Sequence, residues 1–386
     1  MLALGDRLPN FSVDLGKLDG TARLVIETTK SAYPTLDVPF HSRWRHFDID
    51  GFDYWDEIDQ AMAWPSIEEK ARAAFDLAII SVLLDAGAGP TWKYRYPVSG
   101  EIVTRSEGLA LASLVMFRDC EFSMWPSRPL RVDAPILTEL TEAKLARGFQ
   151  VSADNPLAGL AGRADLLRRL GRTLAAAPEI FAKKDSPRPG GLLDHFAALA
   201  PDKRIAAPVI LAELLKHLGP IWPSRLTLGG VALGDCWRHS ALKTDDATTG
   251  LVPLHKLSQW LSYSLIEPLQ WAGIEVTDID GLTGLAEYRN GGLFIDTGVL
   301  TLRDPAAITR EHAVDSELVV EWRALTVALL DRLAEIVRKQ LGMNRETLPL
   351  AKILQGGTWT AGRAVARKLR PDGGPPLKVI SDGTVF

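Results

Sequence analysis

Two cysteines among 386 residues are too few for a disulfide framework, and Cys120 and Cys236 have no metal-ligand spacing between them. That usage fits a reducing compartment. Long hydrophobic runs are missing too. Residues 77–84, an apolar stretch without a charge, fall far short of the ~20 residues that a bilayer crossing needs. The opening MLALGDRLPNF has no charged segment followed by an apolar run, so it does not read as a signal peptide. Neither sign of charge is in excess: the net charge is −4 and the pI about 6.0, which removes the basic field that nucleic-acid binders carry. The seven histidines show no pair at ligand spacing on a helix, so no metal or other cofactor is expected. Repeats and low-complexity segments are absent. These exclusions leave a cytoplasmic protein without membrane or nucleic-acid partners, of unspecified oligomeric state.

Hydrophobic residues, at 46%, are plentiful enough for a large core. The patterns predict a mainly α protein with a minor β component, forming a single catalytic unit. A candidate lobe boundary is the charged, proline- and glycine-rich stretch at residues 183–191. Helices are expected from about residues 20 to 31, 66 to 84, 108 to 117 and 315 to 341. Ser66 with Glu69, and Thr104 with Glu107, read as capping boxes. The turn signals Asn290-Gly291-Gly292 and Thr297-Gly298 frame short strands at residues 293–296 and 299–302.

The chain is centred on residues 251–296. There Leu254, Leu257, Leu261 and Leu265 form an apolar helix face, and Lys256, Gln259, Tyr263 and Glu267 repeat its spacing on the opposite side. Trp260 and Trp271 flank both faces, so the polar stripe needs partners from protein or ligand. His255 and Lys256 stand in the first turn, where the helix dipole disfavours cations unless an anion binds between them. Pro268 cannot bond to the carbonyl of Ser264, which is left free beside Tyr263 and Glu267.

Cationic and aromatic residues cluster elsewhere as well. In PFHSRWRHF an extended backbone would put His41, Arg43 and Arg45 on one side. Asp85 closes a helix, where an acid opposes the dipole, and AGAGPTWKYRY follows with Trp92 and Lys93. GDCWRHS reads as a loop presenting Asp235, Arg238 and His239. GGTWTAGR, at residues 356–363, sets two glycines before a helix that carries Arg363, a cradle for phosphate without the lysine and hydroxyl of a P-loop.

Taken together, PFHSRWRHF, LLDAGAGPTWKY, SEGLALAS, PLHKLSQWLSYSLIEPL, GLAEYRNGGLFID, GGTWTAGR and the terminal SDGTVF resemble the uracil catabolism protein 4 family of fungi and bacteria. These pieces reach from Pro39 to Phe386. The resemblance implies a pyrimidine breakdown route in which uracil becomes a ribonucleotide, the ring opens, and a ribosyl-urea compound is dismantled. More distantly, residues 257–274 and 316–333 resemble queuosine-salvage nucleosidases. Those are helical proteins of DNA-glycosylase-like fold that cleave the N-glycosidic bond of a nucleoside monophosphate. Where that family has an aspartate this chain has Ser262, and where it has a glutamine this chain has Glu267.

The expected function is therefore N-glycoside hydrolysis of a ribosyl-urea or a related ring-opened pyrimidine nucleotide. Such bonds break through an oxocarbenium-like state, which needs a stabilising carboxylate and an acid for the departing nitrogen. Glu267 or Asp235 is the candidate for the first role, Asp85 or Glu287 for the second. Arg43, Arg45, Lys93, His255 and Lys256 are candidates for holding a phosphate, with His41 beside the first two, and Arg289 is a further substrate-binding candidate. Trp92, Trp260 and Tyr263 would enclose the sugar and base remnant, and Gln259 is a further substrate-binding candidate. A ureidase acting on the same intermediate and a non-catalytic nucleotide-binding protein are the alternatives.

Overall fold

The computed structural model describes residues 3, 5–126, 130–182, 186–223 and 225–380. Helix accounts for 53% and strand for 11%, so the chain is mainly α with a minor β component. Its strands pair only in twos among the described residues. Phe11–Val13 runs antiparallel to Leu300–Leu302, while Arg204–Ala206 and Glu275–Thr277 pair in parallel. No described helix is long and apolar enough to cross a membrane.

The core is built on the helices Ile67–Leu83 and Lys256–Trp271, which pack on each other and are buried on nearly every side. Ser66 caps the first, its hydroxyl accepting from the amide of Glu69 at 3.2 Å. The long helix Glu317–Leu341 starts at the capping Ser316 and ends at Gly342, whose φ of +66° suits glycine. One continuous hydrophobic cluster extends from Leu8 to Leu377. In the stretch expected as a lobe boundary, Lys183–Asp185 lie outside the described residues. Its remainder is packed inward: Arg188 and the amide of Gly190 both bond to the buried Asp76, at 2.8 and 2.6 Å.

Three local expectations are corrected. Residues 288–296 form the helix Tyr288–Asp296 rather than a turn and strand, because the Glu287 carboxylate caps the amides of Arg289 and Asn290. Gly291 serves helix packing there: a Cβ at this position would lie 2.7 Å from both Thr326 Oγ1 and Trp322 Nε1. Arg43–His46 is a 3₁₀ turn rather than an extended segment, so Arg43 and His46 share a side while Arg45 points elsewhere. Thr104 begins the helix Arg105–Arg118 without a side-chain cap, and Glu107 pairs with Arg363 at 3.1 Å.

Candidate functional site

A cavity of about 480 Å³ opens where seven segments meet. The loop that follows the helix Ile67–Leu83 supplies Asp85, and the start of Arg105–Arg118 supplies Arg105, Ser106 and Glu107. The central helix Lys256–Trp271 contributes Lys256 and Trp260 from its first turns. Glu287, Tyr288 and Arg289 enter at the start of the helix Tyr288–Asp296. The helix Trp359–Leu369 adds Trp359 and Arg363, the 3₁₀ turn Arg43–His46 adds His46, and the residues just before that turn add His41. The chain beyond Asp372 covers one side.

Several of these groups are placed by interactions that single motifs do not reveal. The buried Arg163 donates to the carbonyls of Ala86 and Gly87 at 2.8 Å each and so holds the loop after Asp85. Asp235 is not presented to the cavity. It forms a bidentate pair with Arg323 at 2.8 Å per bond and accepts the Lys256 amide at 2.9 Å, which fixes the start of the central helix. Burial works against the Asp235 charge, but Arg323 and the Lys256 amide bring its pKa down to about 2. Before the helix Trp359–Leu369 the backbone widens into a π-type turn over Leu354–Thr358. Such turns recur beside functional sites. Gln355 within it bonds His41 Nδ1 at 2.9 Å, whereas Gly356 and Gly357 pack against Thr29. The glycines thus serve packing rather than offering an open phosphate cradle.

Two acids of the cavity share one feature. Burial pushes the carboxyls of both Asp85 and Glu287 above their usual range. At Asp85 this is opposed by Arg43, whose Nη1 lies 2.7 Å from Oδ1; the Ser106 hydroxyl donates to Oδ2 at 3.2 Å. Glu287 accepts only backbone amides, and no cation lies within ion-pair distance of it among the described residues. The histidines are held neutral. Burial lowers His41 to about 4 and takes His46 well below its ordinary value, with Arg43 adding to the second shift. Burial also lowers Lys256, which makes no ion pair among the described residues; its Nζ lies 5.9 Å from the Trp260 ring centre. The Trp260 indole N–H is buried without a partner.

Of the candidate residues, the cavity thus gathers Asp85, Glu287, His41, Lys256, Trp260 and Arg289. The others stand apart from its lining. Glu267 is held by Arg45 at 2.6 Å and by the Ser42 hydroxyl at 2.6 Å. Arg43 is buried behind Asp85, with its Nη2 unpartnered. Trp92 donates to the Phe149 carbonyl at 3.0 Å, and Lys93 is exposed on a short strand. Gln259 accepts from the Thr283 amide at 3.1 Å, and Tyr263 donates to the Thr283 carbonyl at 2.9 Å. His255, at φ +47°, precedes the central helix and makes no side-chain capping bond to it. The carbonyl that Pro268 frees on Ser264 is taken by the Trp44 indole at 2.8 Å. His46, Arg105, Glu107, Tyr288, Trp359 and Arg363, which were not among the candidates, also line it. Only Arg363 carried a residue-level signal, its glycine-rich approach; Arg105 and Tyr288 had none.

Among the described residues one group has donors close enough to hold a metal ion. The side chains of His195, Glu213 and His217 have ligand atoms within 4.8 Å of one another. They sit on the helices Gly191–Leu199 and Ala207–Leu218, outside the cavity lining. Spacing along one helix could not show this set, because His195 arrives from a second helix.

The comparisons with known proteins agree along the whole chain. A family model described as "Protein of unknown function (DUF1688)" matches residues 1–386. Protein urg3 of Schizosaccharomyces pombe is 40% identical over 389 residues, an alignment covering 98% of this chain and 92% of the relative. Uracil catabolism protein 4 of Lachancea kluyveri is 38% identical over 409 residues, with the same shares of each chain covered. The chain belongs to the family of these two proteins, that of uracil catabolism protein 4.

Proposed function

We propose that this protein acts in uracil catabolism as an N-glycoside hydrolase on a ring-opened pyrimidine nucleotide or ribosyl-urea. The observation that carries the reading is the presence of Asp85 and Glu287 on one buried cavity, both with raised pKa and in different settings. Asp85 has an arginine partner and suits the carboxylate role, stabilising positive charge at the anomeric carbon and orienting water. Glu287 lacks a cationic partner and more readily carries a proton, as an acid for the departing urea nitrogen must. In the reaction the bond between C1′ and nitrogen breaks. Water supplies the new hydroxyl at C1′, and the nitrogen takes a proton from Glu287, which regains one from the water. Trp260 and Trp359 offer flat surfaces for the sugar and the urea.

The names of the relatives support the pathway, and the distant resemblance to nucleosidases supports the bond. The test is incubation of the purified protein with N-ribosylurea and its 5′-phosphate. Release of urea together with ribose or ribose 5-phosphate is expected. Ammonia and carbon dioxide in place of urea would identify a ureidase, and binding without any product would leave a nucleotide-binding protein.

A further inference from the structure

Around Arg105, cations predominate. The charged groups acting on Lys256 include Asp85 and Glu287, whereas those acting on Arg105 are Arg289, Arg363 and Arg367, with Tyr288 beside them. This arginine group has too few acids. The Arg105 side chain makes no hydrogen bond or ion pair among the described residues. Its backbone is held at φ +59°, a left-handed conformation that strains a non-glycine residue. Arg289 is buried, donates one bond to the Gly373 carbonyl at 2.7 Å, and lies 4.8 Å from the Tyr288 ring centre, with no carboxylate in ion-pair range among the described residues. Arg363 pairs with Glu107 at 3.1 Å, yet its Nε is buried without a partner. The remaining acid of the lining, Asp372, accepts the Gly374 amide at 2.9 Å.

Guanidinium groups crowded together with unused donors need a counter-anion, since a half-buried cation without one is costly. We propose that Arg105, Arg289 and Arg363 form a subsite for the phosphate monoester of the substrate, making the nucleotide rather than the nucleoside the ligand of this cavity. The inference rests on the reading of the cavity as the substrate site. A phosphate brings nearly two negative charges and several acceptor oxygens, which planar arginine forks match in pairs. The orphan Nε of Arg363 and the free fork of Arg105 supply the missing donors. Held there, the phosphate would anchor the ribose while Asp85 and Glu287 act at the anomeric end.

The experiment compares ribose 5-phosphate, inorganic phosphate and ribose as ligands of the full chain, by calorimetry and by melting temperature. Both phosphates should bind and raise the melting temperature, and ribose should do neither. Arg105→Gln should weaken ribose 5-phosphate binding by tenfold or more, and Arg105→Lys should recover part of that loss. If the glutamine variant misfolds, Arg105→Gly removes the guanidinium and relieves the backbone conformation together. Equal binding of ribose and ribose 5-phosphate, or unchanged affinity in a folded Arg105 variant, would overturn the subsite. Arg105-dependent phosphate binding in a protein that cleaves no ribosyl-urea would keep the subsite and defeat the glycosidase. Equal kcat/KM on ribosyl-urea and its phosphate would do the reverse.

Discussion

Glu267, half-buried, and Glu287, buried, both have raised pKa values and offer a decisive comparison, because only Glu287 lines the cavity. Glu267→Gln keeps an acceptor for the Ser42 hydroxyl and loses the charge that faces Arg45 at 2.6 Å. A hydrogen bond to a charged group contributes roughly 1.5–3 kcal/mol, and partial exposure of Arg45 reduces this to about 1–2 kcal/mol. For 386 residues the unfolding entropy is on the order of 0.8 kcal/mol per kelvin, so the melting temperature should fall by about 1–3 °C. Turnover per folded molecule should stay within about a factor of two. Glu287→Gln should do the opposite: it retains an oxygen toward the helix amides and loses the proton donor, lowering kcat by roughly a hundredfold or more. Calorimetric melting and urea release, measured on both variants, separate the two roles. A hundredfold loss of turnover in Glu267→Gln with normal melting, or normal turnover in Glu287→Gln, would refute the assignment.

Asp235→Asn should destabilise the fold by about 3–5 kcal/mol, since Arg323 would remain buried without its bidentate partner. Asp235 is held at about 2, below its ordinary 3.8, so its contribution is fully present above pH 3.8 and disappears as pH falls through 2. Denaturant titrations should show the deficit of the asparagine variant shrinking by about 2 kcal/mol between pH 5 and pH 2; a constant deficit would sink the argument. Gly291→Ala should cost about 1–3 kcal/mol by forcing a Cβ against Thr326 and Trp322, and a neutral result in thermal melts would remove the close-packing reading. Chelation should leave urea release unchanged. Activity that falls with a chelator, returns with zinc and is absent from His195→Ala would instead implicate the His195–Glu213–His217 group.

What the sequence determined by itself is local or carried by many residues at once. Apolar periodicity fixed the central and long helices, Ser66 and Gly342 marked helix ends, and motifs along most of the chain identified the family. Residue types also marked Asp85, Glu287, Lys256 and Trp260 as candidates before their meeting place was visible. Only the tertiary structure decided which polar groups the protein satisfies internally. Glu267, Asp235, Gln259 and Tyr263 lie on or beside the central helix, yet their partners come from residues 20 to 225 positions away. No spacing rule specifies such pairings. For the same reason Asn290-Gly291-Gly292, a turn signal in isolation, became helix once Glu287 capped it and Trp322 needed close approach. The arginine group depends most on long-range packing. Arg105, Arg289 and Arg363 stand more than 70 positions apart in the chain, and their shortage of acids exists only after folding brings them to one cavity.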